Sequence, residues 1–333
     1  MKKTFLMVAA VAAMLIATGF TACKPNSKPK EVDIYVAGSD YSGANGVAKV
    51  WKNGKELYEL TDGSKNAAAY SVFVVGGDVY TAGSEYNNST NNVAKVWKND
   101  KELYALTDGS KSAEANSLFV ADDKVYTAGY ENNGTNWVAK LWKNKSATDL
   151  TDGSKSAEAN SVFVAGSNVY VAGNDGNIVK VWKKGSELFA LTDGSKTANA
   201  NSVFVVGDDV YTAGYESNGT NWVAKVWKNK KAIFQTDGTK EASANSVYVV
   251  GEDIYVAGKE GKVAKVWKNK EELYELVDKG YAYSMVVHNG DVYVAGSERE
   301  GTDDVAKVWK NGKELYSLTD KGEAFSIFIA ERK

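Results

Sequence analysis

The stretch Ser202-Val203-Phe204-Val205-Val206-Gly207-Asp208-Asp209-Val210-Tyr211-Thr212-Ala213-Gly214 decides how the whole chain is read. Two runs of β-branched and aromatic residues flank a short Gly-Asp link, the pattern of an antiparallel hairpin. Further on, Val223-Ala224-Lys225-Val226-Trp227-Lys228 reads as a third strand and Lys231 to Gln235 as a fourth. With these strands labelled a to d, both the a–b and c–d links are tight, and Asn53-Gly54 and Asn311-Gly312 are favourable two-residue hairpin turns. The same meander recurs seven times. The third-strand tryptophan marks each copy: Trp51, Trp97, Trp142, Trp182, Trp227, Trp267 and Trp309, spaced by 46, 45, 40, 45, 40 and 42 residues.

Four short strands in a unit of roughly 40 to 50 residues are the signature of a β-propeller blade. The phase of the two chain ends favours a closed ring. The first unit starts at its b strand, Asp33 to Gly38, with no a strand before it, and the last a strand, Ser326 to Ala330, has no partner of its own. Pairing that tail with the N-terminal b, c and d strands hides the edges that would otherwise template aggregation. The expected fold is all-β: a seven-bladed β-propeller of four-stranded antiparallel blades over residues 32–333, closed by the C-terminal inner strand.

Positions that repeat in every blade call first for a structural account. Ala69 and Ser71, and their equivalents through Ala324 and Ser326, supply small side chains where inner strands converge on a crowded axis. The seven tryptophans and the b-strand tyrosines, from Tyr35 to Tyr293, supply apolar area between blades. Lys49 and its equivalents sit mid-strand. A two-residue turn places Lys49 opposite Tyr58 and Trp51 opposite Glu56, with the lysine stem over aromatic surface and its head in water. Asp62 and its equivalents adjoin glycine or lysine in turns, one per blade. They lack the dense Asp/Asn spacing of a calcium loop and read as turn formers.

The chain ends are informative too. Lys2 and Lys3 precede an apolar run from Phe5 to Ile16, a targeting segment too short to remain as a spanning helix. Thr21-Ala22-Cys23 resembles a bacterial lipobox, although Phe20 stands where such boxes usually carry leucine. On that resemblance residues 1–22 are a lipoprotein signal peptide and Cys23, the only cysteine, is the lipidated residue; the alternative is an ordinary secretory signal with an incidental cysteine. Residues 23–31 read as a flexible tether holding both prolines of the chain, and a proline-free remainder suits hydrogen-bonded strands.

A formal charge of −2 and a pI near 5.7 give no footprint for nucleic acid. The chemistry is sparse: one histidine, His288, in the hairpin after an a strand, and two arginines, Arg299 and Arg332. No arginine cluster, histidine-based metal centre or Ser-His-Asp set is spelled out, and no phosphate loop is followed by a helix. No metal or cofactor is expected. His288 reads as a surface residue at the end of the ring away from the long loops. Catalysis by carboxylates alone stays open because Asp and Glu abound, but no spacing singles out a pair.

Departures from sevenfold sameness mark the candidate site. The residue before the a-strand serine is Asn in four blades (Asn116, Asn160, Asn201 and Asn245) but aromatic in three: Tyr70, Tyr283 and Phe325. In ring order those three are neighbours, so they form an aromatic arc beside the axis, with Tyr281 close by. The a-strand starts share one end of the ring with the b–c loops. Those loops are long and rich in Asn, Gly, Ser and Tyr in five blades, and two of them carry Trp137 and Trp222. Such surfaces suit a polar ligand or glycan; the competing account is hydrophilic turns whose aromatics fold back on the blades.

The repeated phrases VYxAG, VAKVWKN, LTDGSK and AxSVFV, covering nearly all of residues 32–331, resemble a group of seven-repeat propeller lipoproteins of outer-membrane bacteria. The chain lacks the Trp-Asp dipeptides of WD repeats, and only Gly76-Gly77 is similar to the double glycine of kelch units. The resemblance implies anchoring to the outer membrane through lipid alone. The basic tether, without the acidic run that marks some lipoproteins for export, favours the periplasmic side over the cell surface. The expected function is a non-catalytic binding or assembly propeller presenting Tyr70, Tyr281, Tyr283, Phe325, Trp137 and Trp222 to a protein or saccharide. The alternative is a glycoside hydrolase with paired carboxylates on the same face.

Overall fold

In the computed structural model, residues 31–87 and 91–332 are described. The expected signal peptide, Cys23 and all of the tether except Glu31 lie outside them. Twenty-eight strands form seven four-stranded antiparallel sheets, each a blade of the ring. Blade 1 combines both ends of the chain: β28 (Gly322–Glu331) lies innermost, followed by β1 (Val32–Asp40), β2 (Val47–Lys52) and β3 (Lys55–Glu59). Tyr35 pairs with Phe328 in this sheet, so the tail does close the ring. Blades 2 to 7 follow in chain order, with inner strands beginning at Ala67, Ala113, Ala157, Ala198, Ala242 and Gly280.

The inner strands are longer than their apolar cores suggest. In blade 5 the inner strand runs Ala198–Val206, because the small-residue phrase before Ser202 is itself paired with Asp209–Ser217. A β-bulge lets this happen. Ala200 pairs with Gly214 and Ser202 with Ala213, leaving Asn201 as the extra residue. The same bulge recurs in all seven blades and aims that one side chain away from the ladder. It also explains the glycine of the VYxAG phrase: a Cβ on Gly214 would collide with the carbonyl oxygen of Asn199, and its counterparts meet the same obstacle.

Packing between blades is carried by the seven tryptophans that mark the repeat, all 5% exposed or less. Each lies on the preceding blade: Trp51 joins Tyr293 and Val308 of blade 7, and Trp97 joins Tyr35 and Val50 of blade 1. Burying such a side chain is worth on the order of 4–6 kcal/mol of transfer free energy. Around the axis the seven serines form a closed hydrogen-bonded ring. The amide of Leu118 donates to Ser71 Oγ at 3.0 Å, that of Val162 to Ser117 at 3.1 Å, and so on round the molecule. Val72 completes it by donating to Ser326 at 3.2 Å. Smallness at the axis is thus only half the reason for serine; its oxygen also ties each inner strand to the next.

The mid-strand lysines differ from expectation. A bulge at Leu57 places Lys49 opposite Glu59 rather than Tyr58, while Trp51 does face Glu56. The ammonium is not in water: Lys49 Nζ lies 3.1 Å from Asp40 and 2.9 Å from Glu56. Lys95, Lys140, Lys180, Lys265 and Lys307 likewise bridge acids on both flanking strands or their ends. Among the described residues Lys225 meets Glu216 alone: its fourth strand sets Ala232 opposite Trp227 and Gln235 opposite Lys225, whereas blade 3, which also has an alanine at the first place, supplies Asp149 at the second. The lysine that covers an aromatic is the one after tryptophan. Lys52 Nζ sits 5.2 Å from the Tyr35 ring centroid and 2.8 Å from Asp33. Asn53, in the left-handed conformation the hairpin requires (φ 52°), accepts from the Ile34 amide.

Candidate functional site

The aromatic arc is present. The bulge that offers Asn to the axis in four blades offers Tyr70, Tyr283 and Phe325 in the other three. The ring centroids of Tyr70 and Phe325 are 5.4 Å apart, as are those of Phe325 and Tyr283. Tyr281 stacks on Tyr283 at 5.4 Å with planes 4° apart. The four asparagines do different work: Asn116, Asn160 and Asn201 each donate to the next blade's inner-strand carbonyl and to an asparagine there, and Asn245 donates to the Ala282 carbonyl. Amide ladder and aromatic arc are therefore two occupants of one circle of positions. The ladder closes four blades, and the arc leaves ring faces along the other three.

Trp137 and Trp222 stand on blades 3 and 5 and make no ring contact with the arc among the described residues. Trp137 packs edge-on against Tyr130 at 5.0 Å, folded back on its blade. Trp222 stacks on Tyr215 at 4.8 Å and is still 43% exposed, a flat aromatic platform at the rim.

Residues outside the aromatic pattern complete the arc. Tyr41, in the first b–c loop, and Tyr283 both donate to Glu323, at 3.4 and 2.5 Å. Burial raises the Glu323 pKa, and these two hydroxyl donors oppose the rise only in part. Burial, with the Glu323 charge second, in turn pushes the Tyr41 phenol up to about 12 and raises that of Tyr283. On the outer side, Lys259 Nζ lies 4.0 Å from the Tyr281 centroid, a cation held on an aromatic face. Tyr41, Tyr70 and Tyr86 wall a recess of about 280 Å³ floored by Ala68. The signal that reveals these groups is a second column of a-strand residues, two before the bulge, running Ala68, Glu114, Glu158, Asn199, Ser243, Tyr281 and Glu323.

Two carboxylates in that column adjoin on blades 3 and 4. Glu114 accepts from the Tyr130 hydroxyl at 2.7 Å and from the Asn92 amide at 2.9 Å. Glu158 has its pKa raised by burial and then by the Glu114 charge. The turn aspartates behave as turn formers: Asp62, Asp108, Asp152, Asp193 and Asp237 each accept from the amide two residues on. No group of His, Cys, Asp and Glu suited to a metal ion occurs among the described residues. His288 is buried rather than a surface hairpin residue. Its Nε2 is 2.9 Å from Asn289 Nδ2 and 3.8 Å from Glu331, at the end of the ring away from the arc.

No family model and no curated protein matches the chain. Among solved structures it is similar to the WD40 β-propeller domain of Doa1, at 16% identity and TM-score 0.50, over 81% of this chain and 91% of that one. It also aligns with BamB from Moraxella catarrhalis (11% identity, TM-score 0.41, 88% of this chain and 81% of that) and with a prolyl endopeptidase (12%, 0.47, 90% and 50%). The likeness to the Doa1 domain concerns the β-propeller fold alone; the Trp-Asp dipeptides of WD repeats are missing here.

Proposed function

We infer that this chain is a lipid-anchored, non-catalytic binding or assembly propeller whose loop-bearing end holds a protein or saccharide partner. The observation that carries the reading is the continuous contact of Tyr70, Phe325, Tyr283 and Tyr281 beside a tyrosine-walled recess, where an amide ladder closes the rest of the circle. Ring faces with adjacent carboxylate, amide and hydroxyl groups suit sugars and peptide side chains alike. The test compares the domain from Lys30 onward with its Tyr70→Ala/Tyr283→Ala variant in glycan-array and envelope-protein capture. Capture should vanish in the variant while the thermal transition persists, and unchanged capture would reject the site.

Anchoring is the proposed role of Cys23, with the domain on the periplasmic side of the outer membrane. Cys23→Ser should release the protein from the membrane fraction; a variant that stays bound would remove the anchor. A second reading, glycoside hydrolysis, is favoured by Glu158, whose raised pKa beside Glu114 suits a proton donor. Binding is preferred because both Glu114 oxygens are already engaged by Tyr130 and Asn92. Turnover of aryl glycosides that is lost in Glu158→Gln would reverse that preference.

A further inference from the structure

The opposite end of the axis holds a second break in the repeat. Two residues after the serine ring, six inner strands contribute an aromatic, and five of these are phenylalanine. The rings touch in sequence round the channel: Phe328 to Phe73 at 4.9 Å, Phe73 to Phe119 at 4.7 Å, Phe119 to Phe163 at 5.3 Å, Phe163 to Phe204 at 5.1 Å and Phe204 to Tyr248 at 4.7 Å. The seventh strand carries Val286, so the circle is short of one ring between Tyr248 and Phe328. A cavity of about 390 Å³ opens there.

The other departures from the repeat gather at the same place. Tyr248 replaces Phe in this circle, Met285 replaces an aliphatic β-branched residue or Leu, and His288 replaces Val or Ala. All three line the cavity. The Tyr248 hydroxyl has no protein hydrogen-bond partner among the described residues, and burial raises its pKa, which keeps it a neutral donor. Ser246 and Ser284, also lining the cavity, accept amide protons from Met285 and Ile327, and among the described residues no protein acceptor takes their own hydroxyl protons. The walls are thus mainly aromatic and aliphatic, with unused hydroxyl donors on one side and the ionisable side chains of His288 and Glu331 also in the lining. Cavities near 150 Å³ already admit benzene, so this one has room for one or two fused rings.

We propose that this end of the channel is a binding site for a planar aromatic molecule of one or two rings bearing a hydroxyl or carbonyl. The ring lies against Val286 between Tyr248 and Phe328, and the polar group meets the Tyr248 hydroxyl. This site is independent of the loop-bearing face.

The probe is 2-naphthol, titrated calorimetrically into the folded domain beside decahydro-2-naphthol, which keeps the hydroxyl and lacks the aromatic system. Saturable one-site binding is expected for 2-naphthol, at least tenfold tighter than for the saturated alcohol. Val286→Phe, which fills the gap from within, should weaken it at least tenfold, Tyr248→Phe severalfold, and Tyr70→Ala/Tyr283→Ala not at all. No saturable binding, equal affinity for the two alcohols, or full affinity in Val286→Phe would overturn the proposal. Should Val286→Phe fail to fold, Tyr248→Phe decides alone, and undiminished affinity there refutes the site.

Discussion

The amide of Val72 donates to the Ser326 hydroxyl at 3.2 Å, joining residues 254 positions apart. It is the link in the serine ring that spans the two ends of the chain, beside the sheet in which β28 pairs with β1. Closure therefore rests on one full strand and on side-chain links that include this bond, Tyr41 to Glu323 and Arg332 to Asp33. Ser326→Ala removes the bond and should cost about 1 kcal/mol, read as a modest fall in denaturation midpoint. Deleting residues 322–333 removes the strand and bares the β1 edge. Size-exclusion chromatography should then show aggregate, and adding a 322–333 peptide should restore monomer.

Gly214 and Gly207 test the bulge. Gly214→Ala drives a methyl group into the Asn199 carbonyl and should cost about 3 kcal/mol. Gly207, in an open turn with φ of 59° and free space where a methyl group would stand, should lose only about 1 kcal/mol on the same change. Equal losses by chemical denaturation would refute the steric account of the VYxAG glycine.

The lysine ion clusters should be graded by partner number. Lys307 meets Glu298, Glu300 and Glu314 and is 8% exposed at its side chain, whereas among the described residues Lys225 meets only Glu216. Lys307→Met strands three carboxylates and should cost roughly 2 kcal/mol, between the small value of exposed pairs and the larger one of buried pairs. Lys225→Met should cost less, and the reverse order in urea titrations would exclude the ranking.

Glu158 sets a pH dependence of known sign. Its folded-state pKa lies above the ordinary 4.5, so between those two values the folded protein binds more protons than the unfolded chain. Its contribution to stability is full below about pH 4.5 and is lost as pH rises through the folded value. Glu158→Gln should therefore raise the melting temperature at pH 7, with the gain closing as pH falls toward 4. Asp33 acts in the opposite sense: burial works to raise it, but hydrogen bonds from Lys52, Asn53 and Arg332 hold it at about 2. Its contribution is present above about pH 4 and disappears as pH falls toward 2.

Much of this architecture was legible because it is periodic. The tryptophan spacing and the mismatched ends sufficed to place Phe328 beside Tyr35, and comparing equivalent positions sufficed to bring Tyr70, Phe325 and Tyr283 together. What escaped is local backbone geometry, including a bulge that recurs in six blades, and contacts made only once the ring is closed. The bulge at Leu57 shifts pairing by one residue, which turned Lys49 from an aromatic cover into the centre of an ion cluster. No pattern announces such a slip, since the residues on either side stay the same. His288 looked exposed because short hairpins usually are; Asn289 and Glu331 pack over it. Tyr41 and Glu323 were missed because their meeting spans 282 positions and depends on ring closure.

Each inner strand brings one serine acceptor for the next blade and one amide donor for the previous blade's serine. The handshake is thus complete within a single copy of the repeat. A duplicated or deleted copy would inherit the connection without any compensating change, so gene-level gain or loss of whole modules leaves no broken joint at the axis. The aromatic arc and the Val286 gap lack this property. They are written into particular copies, which is where selection for a ligand can act without disturbing the wheel that carries them.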